Sequence, residues 1–399
     1  MQLKFEDIKF NQKEDFVRAN FLKIFYFDIK NEELEKIGKF KVKDEILTIN
    51  CSEKKSHKFD HLLLKGFNEL TNILNGKKTV YIHKNSEIPL MGNVAFGIID
   101  RNTNIIEIKP ITSCNLDCIY CSVSELKRPV DFIVEADYMV EELNKLIEFK
   151  ENNNIEIHIG CQGEPLRYKK LAYLVKEIRK NKSVKRVSMD TNGTLLTEKI
   201  IDEFIESGFT RLNISLNSVD KKNAKQIAVK PYNLEHVLNM IKYVAKSKVE
   251  LIVAPVWAPG INDNDIEEIV NFVAKLKNKQ THPKVGIQKY LRYKGGRLLK
   301  ELSWEDFFSK LKELQDKYGL KLIFDETDFD IEKTKNLPKP FKKGEIIEAK
   351  IISEGRLKNE KLLVAKNRTI SIINSFSKGI IKVKIKRTKH NIFTAELIN

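Results

Sequence analysis

Residues 105–121 read IIEIKPITSCNLDCIYC, a short β-branched run that leads into three cysteines, Cys114, Cys118 and Cys121, spaced C-x-x-x-C-x-x-C. The 399-residue chain has only five cysteines, and three of them fall within eight positions. An odd, sparse set argues against a secreted disulfide framework and for thiols that ligate metal in a reducing compartment. Structural zinc takes four protein ligands, and ordinary ferredoxin clusters take four cysteines. With three thiols at hand, two readings stay open. One is a zinc knuckle completed by Cys161 or His158; the other is a cubane iron–sulfur cluster gripped at three irons, whose fourth iron takes an exogenous ligand.

The runs that follow frame this loop. "IIEIKPI" (105–111), "IEIHIGC" (155–161), "RVSMDTN" (186–192), "RLNISLN" (211–217), "ELIVAPVW" (250–257) and "KVGIQKY" (284–290) start 25 to 50 residues apart. That leaves room for a strand, a crossover helix and loops, the spacing of β/α units on a parallel sheet. "LKLIFD" (320–325) is a candidate edge strand. Period-two alternation sorts the faces. Ile155, Ile157 and Ile159 turn to the covering helices and Glu156, His158 and Gly160 to the other side, as Leu212, Ile214 and Leu216 oppose Arg211, Asn213, Ser215 and Asn217. A closed eight-stranded barrel fills its lumen with branched apolar side chains. Six strands with a polar inner face therefore predict an open, partial (β/α)6 barrel around a wet cavity, with its site at the C-terminal strand ends.

The expected fold class is α/β: an N-terminal α+β module over residues 1–100, the partial barrel over 101–330, a basic Pro-containing linker over 331–343 and a small all-β barrel over 344–399. Within the first module, "DHLLLKGFNELTNILNG" (60–76) reads as an amphipathic helix stopping at Gly76.

On the cysteine triplet and the motifs that follow it in order, the chain resembles the radical S-adenosylmethionine (radical SAM) superfamily over about Ile105 to Asp325. Tyr120 matches the aromatic that packs near the adenine in that family. "QGEP" (162–165) is similar to its G-G-E-P, which receives the methionyl ammonium, with Gln162 in place of the first glycine. "DTNGTLLT" (190–197) resembles the third-strand end, "SLNS" (215–218) the segment that contacts ribose and carboxylate, and "APGIND" (258–263) the adenine-side loop. The resemblance implies a [4Fe-4S] cluster on Cys114, Cys118 and Cys121, with S-adenosyl-L-methionine chelating the open iron. It implies reductive cleavage to methionine and a 5'-deoxyadenosyl radical that takes hydrogen from substrate, fed by an electron donor such as ferredoxin or flavodoxin. It also implies cofactor contacts from Tyr120, Gln162, Gly163, Glu164, Pro165, Asn192, Ser215 and Asn217. Methylthiotransferases share a basic C-terminal barrel but need three further cysteines upstream, where this chain has only Cys51; no cysteine follows Cys161 to hold an auxiliary cluster.

Glu156 and His158, on the lumen face, are the candidate catalytic contacts to substrate. Cys161 is a leftover thiol that alternation places with the isoleucines on the helix-facing side; a functional role there is hydrogen donor or transient methyl carrier.

Lys and Arg exceed Asp and Glu by 16, and Phe341 to Asn399 alone hold 14 basic and 5 acidic residues, more than half of that excess. Such a concentration calls for a polyanionic partner. From about Gly344 to Leu397 the chain resembles the TRAM domain, a small OB-like barrel of tRNA-modifying enzymes. In "KVKIKRTKH" (382–390), Lys382, Lys384 and Lys386 alternate with Val383, Ile385 and Arg387. One face then packs and the other presents cations at strand spacing, a rail for phosphates. Lys382, Lys384, Lys386 and Arg387 are the candidate RNA contacts. The reading is a radical SAM enzyme of the archaeal, RNA-modifying type, a transferase acting on a tRNA base. The alternative is a radical SAM enzyme that modifies a peptide or protein, its tail docking an acidic partner. A cytoplasmic location with no membrane partner is expected. No apolar run approaches the roughly 20 residues of a membrane span, and the first residues lack the apolar core of a signal peptide.

Overall fold

The six expected runs form strands Ile105–Lys109, Ile155–Ile159, Val184–Thr191, Arg211–Ile214, Glu250–Val253 and Lys284–Val285, side by side in chain order and all parallel. The computed structural model describes residues 2–3, 5–125, 127–276, 282–293, 295–373 and 378–398. A seventh strand, Gly97–Asp100, joins antiparallel at the edge beside Ile105–Lys109. The edge candidate at 320–325 forms no strand. Its Leu322 is buried in the core, and Gln315 of helix Trp304–Tyr318 accepts the Leu322 N–H at 3.0 Å, which holds the segment as a loop.

Two of the runs break in the middle. Pro255 has no N–H to give a ladder, and residues 250–257 divide into Glu250–Val253 and Val256–Trp257; residues 284–290 divide at Gly286 into Lys284–Val285 and Gln288–Lys289. The two later pieces pair with each other in parallel.

Helices Ala136–Lys150, Leu171–Ile178, Glu198–Ser207, Leu234–Val244, Asp263–Leu276 and Trp304–Tyr318 follow the strands. Apolar residues recur on them every three or four positions, the period of one helix face. Met139, Leu143, Leu146 and Ile147 are an example, and they share one core with the fully buried isoleucines 155, 157 and 159. Capping marks the ends: Thr197 Oγ1 accepts from Ile200 N at 3.2 Å, and Gly208, at φ 97°, stops Glu198–Ser207.

The N-terminal residues build a six-stranded sheet in the order Val130–Val134, Lys78–Ile82, Thr71–Asn72, Phe25–Lys30, Phe16–Phe21, Ile8–Gln12. Its outermost strand, Val130–Val134, comes from just after the cysteine loop and runs parallel to Lys78–Ile82. Besides the short helix Asn31–Glu35, this region has the helix Glu53–Asn68, which lies earlier than the expected 60–76. Beyond Asn68 the chain turns back, with Gly76 N donating to Asn72 O at 2.9 Å, because Thr71–Asn72 is recruited into the sheet.

The C-terminal strands Ile346–Glu354, Glu360–Ala365, Arg368–Ile373, Phe393–Leu397 and Ile380–Arg387 close into a five-stranded barrel around a core of its own that includes Leu363, Ile370, Val383 and Phe393. The barrel docks on residues 91–93. Thr369 N donates to Met91 O at 2.9 Å, Phe393 N to Gly92 O at 2.9 Å and Asn93 Nδ2 to Ser371 Oγ at 3.0 Å. The segment before it is pinned as well: Asn104 Nδ2 donates to Asp330 O at 2.9 Å, and Asn104 Oδ1 accepts from Glu332 N at 2.9 Å.

Gly92 sits at φ 121°, and a Cβ there would lie 2.0 Å from the Thr369 carbonyl oxygen. Gly92→Ala is expected to cost about 2 to 3 kcal/mol, read by urea unfolding, with faster amide exchange in the C-terminal barrel strands.

Candidate active site

The cysteine loop, residues 112–125, has no helix or strand of its own and is held by buried charge. Asp117, 2% exposed, accepts from Glu125 N at 2.8 Å and pairs with Arg297 at 2.5 Å, while Arg297 Nη1 donates to Asp117 O at 2.6 Å. Arg128 forms a second clamp, paired with Glu125 at 2.5 Å and Asp131 at 2.6 Å and donating to the Thr112 carbonyl. Asn72 of the N-terminal sheet donates to Ser113 Oγ at 2.8 Å and to Asp131 at 2.9 Å. Helix Lys221–Ala228 closes the far side, where Asp117 N donates to Ala228 O at 3.2 Å and Ile119 N to Ile227 O at 3.0 Å. Cys121 N donates to Cys118 O at 3.0 Å, the tight turn that a C-x-x-C spacing makes.

So held, Cys114, Cys118 and Cys121 all line one cavity of about 190 Å³, together with Tyr120, Gln162, Gly163, Glu164, Asn192 and Ser215. The expected cofactor residues therefore converge, although they come from the ends of successive strands. Pro165 opens the short 3-10 turn Pro165–Arg167 behind them. Gly163 must be glycine, because a Cβ there would meet the Thr112 carbonyl at 2.5 Å. Asn217 lies at the adjoining space, where its Nδ2 donates to Tyr120 Oη at 2.8 Å and its Oδ1 accepts from Val256 N at 2.8 Å. Asn262 Nδ2 bonds Asn217 O and Val256 O, both at 3.0 Å, which ties the "SLNS" and "APGIND" segments together.

The electrostatics follow from burial. The three cysteines are partly exposed toward the cavity, yet the protein around them disfavours thiolate: desolvation pushes Cys118 up to about 12 and raises Cys114 and Cys121 as well. Glu164 accepts from Thr191 Oγ1 at 2.7 Å, Asn192 N at 2.8 Å and Leu166 N at 3.1 Å, and burial still pushes its carboxyl up to about 7. These are groups that await positive charge: thiols ionise on binding metal, and a desolvated carboxyl favours a cation.

Glu156 and His158, expected to face substrate, lie in the layer beneath the cavity. Glu156 is paired with Arg211 and accepts from Ser188 Oγ at 2.6 Å. His158 Nδ1 meets Ser188 Oγ at 2.9 Å and Nε2 meets Asp190 Oδ2 at 3.1 Å. Burial opposes protonation of His158, but Asp190 outweighs it and raises the pKa. Asp190, which no motif singled out as a contact, is the member of this network that reaches the cavity wall. Cys161 corrects the alternation argument: its strand ends at Ile159, and the thiol lines the cavity beside Gln162, pushed up to about 12 by burial.

On the barrel, Lys382, Lys384, Lys386 and Arg387 are all exposed along Ile380–Arg387. Arg387 does not alternate inward. A bulge between Ile385 and Arg387 shifts the register there, so one extra residue changes which side it faces. Lys386 pairs with Glu396 at 3.1 Å and Lys382 lies 4.0 Å from Glu348.

An α/β sheet of parallel strands whose C-terminal ends gather three cysteines and a buried Gly-Glu-Pro turn defines an iron–sulfur enzyme of the radical SAM type. The radical SAM superfamily profile matches residues 108–273, and the chain carries a radical SAM domain there. It is 39% identical over 363 residues to the Methanocaldococcus jannaschii protein named "Uncharacterized protein MJ0103", covering 83% of each chain. It is 31% identical over 182 residues to GTP 3',8-cyclase of Campylobacter jejuni subsp. doylei, covering 45% of this chain and 55% of the cyclase. Among solved structures, that of TYW1 with a lysine-pyruvate adduct bound superposes with a TM-score of 0.42 at 23% identity, covering 60% of this chain and 81% of that one.

Radical SAM enzymes use a [4Fe-4S] cluster and S-adenosyl-L-methionine and need an electron donor, and the donor set here fits both groups: three neutral thiols and an uncompensated buried carboxyl on one cavity. No helix among the described residues is long and apolar enough to cross a membrane.

Replacing Cys114, Cys118 and Cys121 together by Ala is expected to abolish iron retention after anaerobic reconstitution, read by iron and sulfide analysis, whereas Cys161→Ala keeps the wild-type iron content. For Glu164 the folded-state pKa is raised, so its contribution to stability is complete below the ordinary value of 4.5 and is lost as pH rises through about 7. Thermal melts of the cofactor-free protein should fall across that window, and Glu164→Gln should flatten the fall.

Proposed function

We propose that this radical SAM enzyme modifies RNA, with a tRNA base as its target. The observation that carries the reading is the C-terminal barrel: a separate closed fold, rich in Lys and Arg, docked on the body of the enzyme with four exposed cations on one strand. Among the described residues, two of those cations have carboxylates nearby, so Lys384 and Arg387 carry most of the unpaired charge of the rail.

Cys114, Cys118 and Cys121 hold the cluster in this reading. Glu164 receives the methionyl ammonium, and Tyr120, Gln162, Gly163, Pro165, Asn192, Ser215 and Asn217 shape the rest of the cofactor cradle. When bound, the two cofactors supply a 5'-deoxyadenosyl radical that takes hydrogen from the substrate. The chain's own part is to bind, orient and exclude water. Asp190 faces the cavity, held by His158 Nε2 at 3.1 Å from its Oδ2 and by Asn213 Nδ2, which donates to its Oδ1 at 2.8 Å. A base inside a duplex cannot reach such a cavity, so the target nucleotide leaves its stack. The match to GTP 3',8-cyclase favours a nucleotide over a peptide as substrate, because that relative's name puts a guanine nucleotide against a related domain. Modification of a peptide or protein, with the tail on an acidic partner, is the competing reading.

Comparing tRNA nucleosides by mass spectrometry from cells with and without the gene separates the two; the RNA reading expects one modified nucleoside to vanish. Replacing Lys382, Lys384 and Arg387 by Glu should weaken tRNA binding at least about tenfold and flatten the slope of log affinity against log salt by about two to three. Unchanged affinity and slope defeat the assignment. S-adenosylmethionine affinity, measured by equilibrium dialysis, should rise with pH through about 7 as Glu164 ionises opposite the ammonium.

A further inference from the structure

Arg356 stands in the turn between the barrel strands Ile346–Glu354 and Glu360–Ala365. It is 4% exposed, and its Nη1 and Nη2 atoms have no hydrogen-bond partner among the described residues. It lines a cavity of about 310 Å³ with Val123, Ser124, Lys127, Gly295 and Lys358, between the barrel turn and the exit of the cysteine loop. Val123 also lines the cysteine cavity, so the two spaces share a wall.

Of the acidic groups nearby, the Cys121 thiol favours the charge on Arg356 from a distance without a hydrogen bond to it, and the carboxylates are already used. Glu125 and Asp131 are taken by Arg128, and Glu360 turns back on its own loop, where its carboxylate accepts from Leu357 N at 2.8 Å. Burial, with Arg128 adding repulsion, pulls Arg356 down to about 10, so the guanidinium is charged at neutral pH. A buried charge without a partner is destabilising, and a planar fork of donors beside two exposed lysines suits a tetrahedral dianion better than a single carboxylate.

We propose that this cavity is a phosphate site, in which Arg356 grips one phosphate group with Lys127 and Lys358 at the rim, so that the C-terminal barrel anchors substrate one wall away from the cysteines. The site takes the phosphate whether it belongs to RNA or to a free nucleotide, and it stands apart from the exposed rail on Ile380–Arg387.

The test uses the full-length, anaerobically reconstituted protein, with Arg356→Met and Arg356→Lys, and three probes: inorganic phosphate, a nucleoside 5'-monophosphate and transfer RNA. Equal iron content in all three proteins keeps cluster loading out of the comparison. Without phosphate, Arg356→Met is expected to melt at or above the wild-type temperature, since an unpaired buried charge is gone. It should lose the phosphate-induced rise in melting temperature and bind inorganic phosphate at least about tenfold more weakly by calorimetry, with Arg356→Lys in between. Of the other two probes, the one that binds more tightly than inorganic phosphate and loses that affinity in Arg356→Met identifies the source. Replacing Lys382, Lys384 and Arg387 by Glu should leave phosphate binding unchanged, which separates this site from the RNA assignment. The proposal is overturned if Arg356→Met binds all three probes as the wild type does, or if it melts lower without phosphate and Arg356→Lys restores the melt but not the binding.

Discussion

Arg297 and Asp117 are 180 residues apart in the chain and meet inside the loop that carries the three cysteines. That contact, with its counterpart between Arg128 and the carboxylates of Glu125 and Asp131, does what secondary structure does elsewhere. A loop with no ladder or helix of its own leaves backbone groups to be satisfied individually, and a bulky inorganic group needs its ligands fixed before it arrives. Buried ion pairs are weak sources of net stability but costly to break once formed, about 3 to 5 kcal/mol when one partner is removed. They tie the loop to Arg297 and Arg128 on either side of Cys118 and Cys121.

The same loop explains why the N-terminal region belongs to the enzyme. Strand Val130–Val134 leaves the loop and enters the N-terminal sheet, with Thr112 N donating to Phe132 O at 3.0 Å and Val134 N to Pro110 O at 2.8 Å across the junction. Asn72 then reaches from that sheet to Ser113, the residue before Cys114. The apolar cluster runs unbroken from Phe10 and Phe27 through Phe132 to the isoleucines of the parallel sheet. The N-terminal sheet thereby helps to position the backbone just before Cys114.

Above the loop, the cavity gathers groups whose ionised forms the protein disfavours. Thiols and a carboxyl are desolvated together, with hydrogen-bond donors that orient Glu164 without neutralising it. Below it, each charge has a partner: Arg211 for Glu156, His158 for Asp190. The inner face of the sheet is therefore divided into a floor of paired charges, open to the cavity at Asp190, and an upper layer at the strand ends.

Much of this was legible from local pattern. Strand order, the inward and outward faces of Ile155–Ile159 and the succession of cysteines, Gly-Glu-Pro turn and Asn192, Ser215 and Asn217 depend on period and spacing, which a linear string records. Other features did not lie in any local pattern. The recruitment of Val130–Val134 and of Thr71–Asn72 into a sheet, the pairing of Asp117 with Arg297 and the occupation of Glu156 by Arg211 depend on partners distant in the chain. Cys161 and Arg387 escaped alternation because the strand stops at Ile159 in one case and bulges after Ile385 in the other. The sequence by itself determined the order in which the three cysteines, the Gly-Glu-Pro turn and Asn192, Ser215 and Asn217 follow the strands. Only the tertiary structure decided which charges are paired and which groups, like Glu164 and Arg356, stay buried without an ion-pair partner among the described residues, because pairing is a matter of proximity in space.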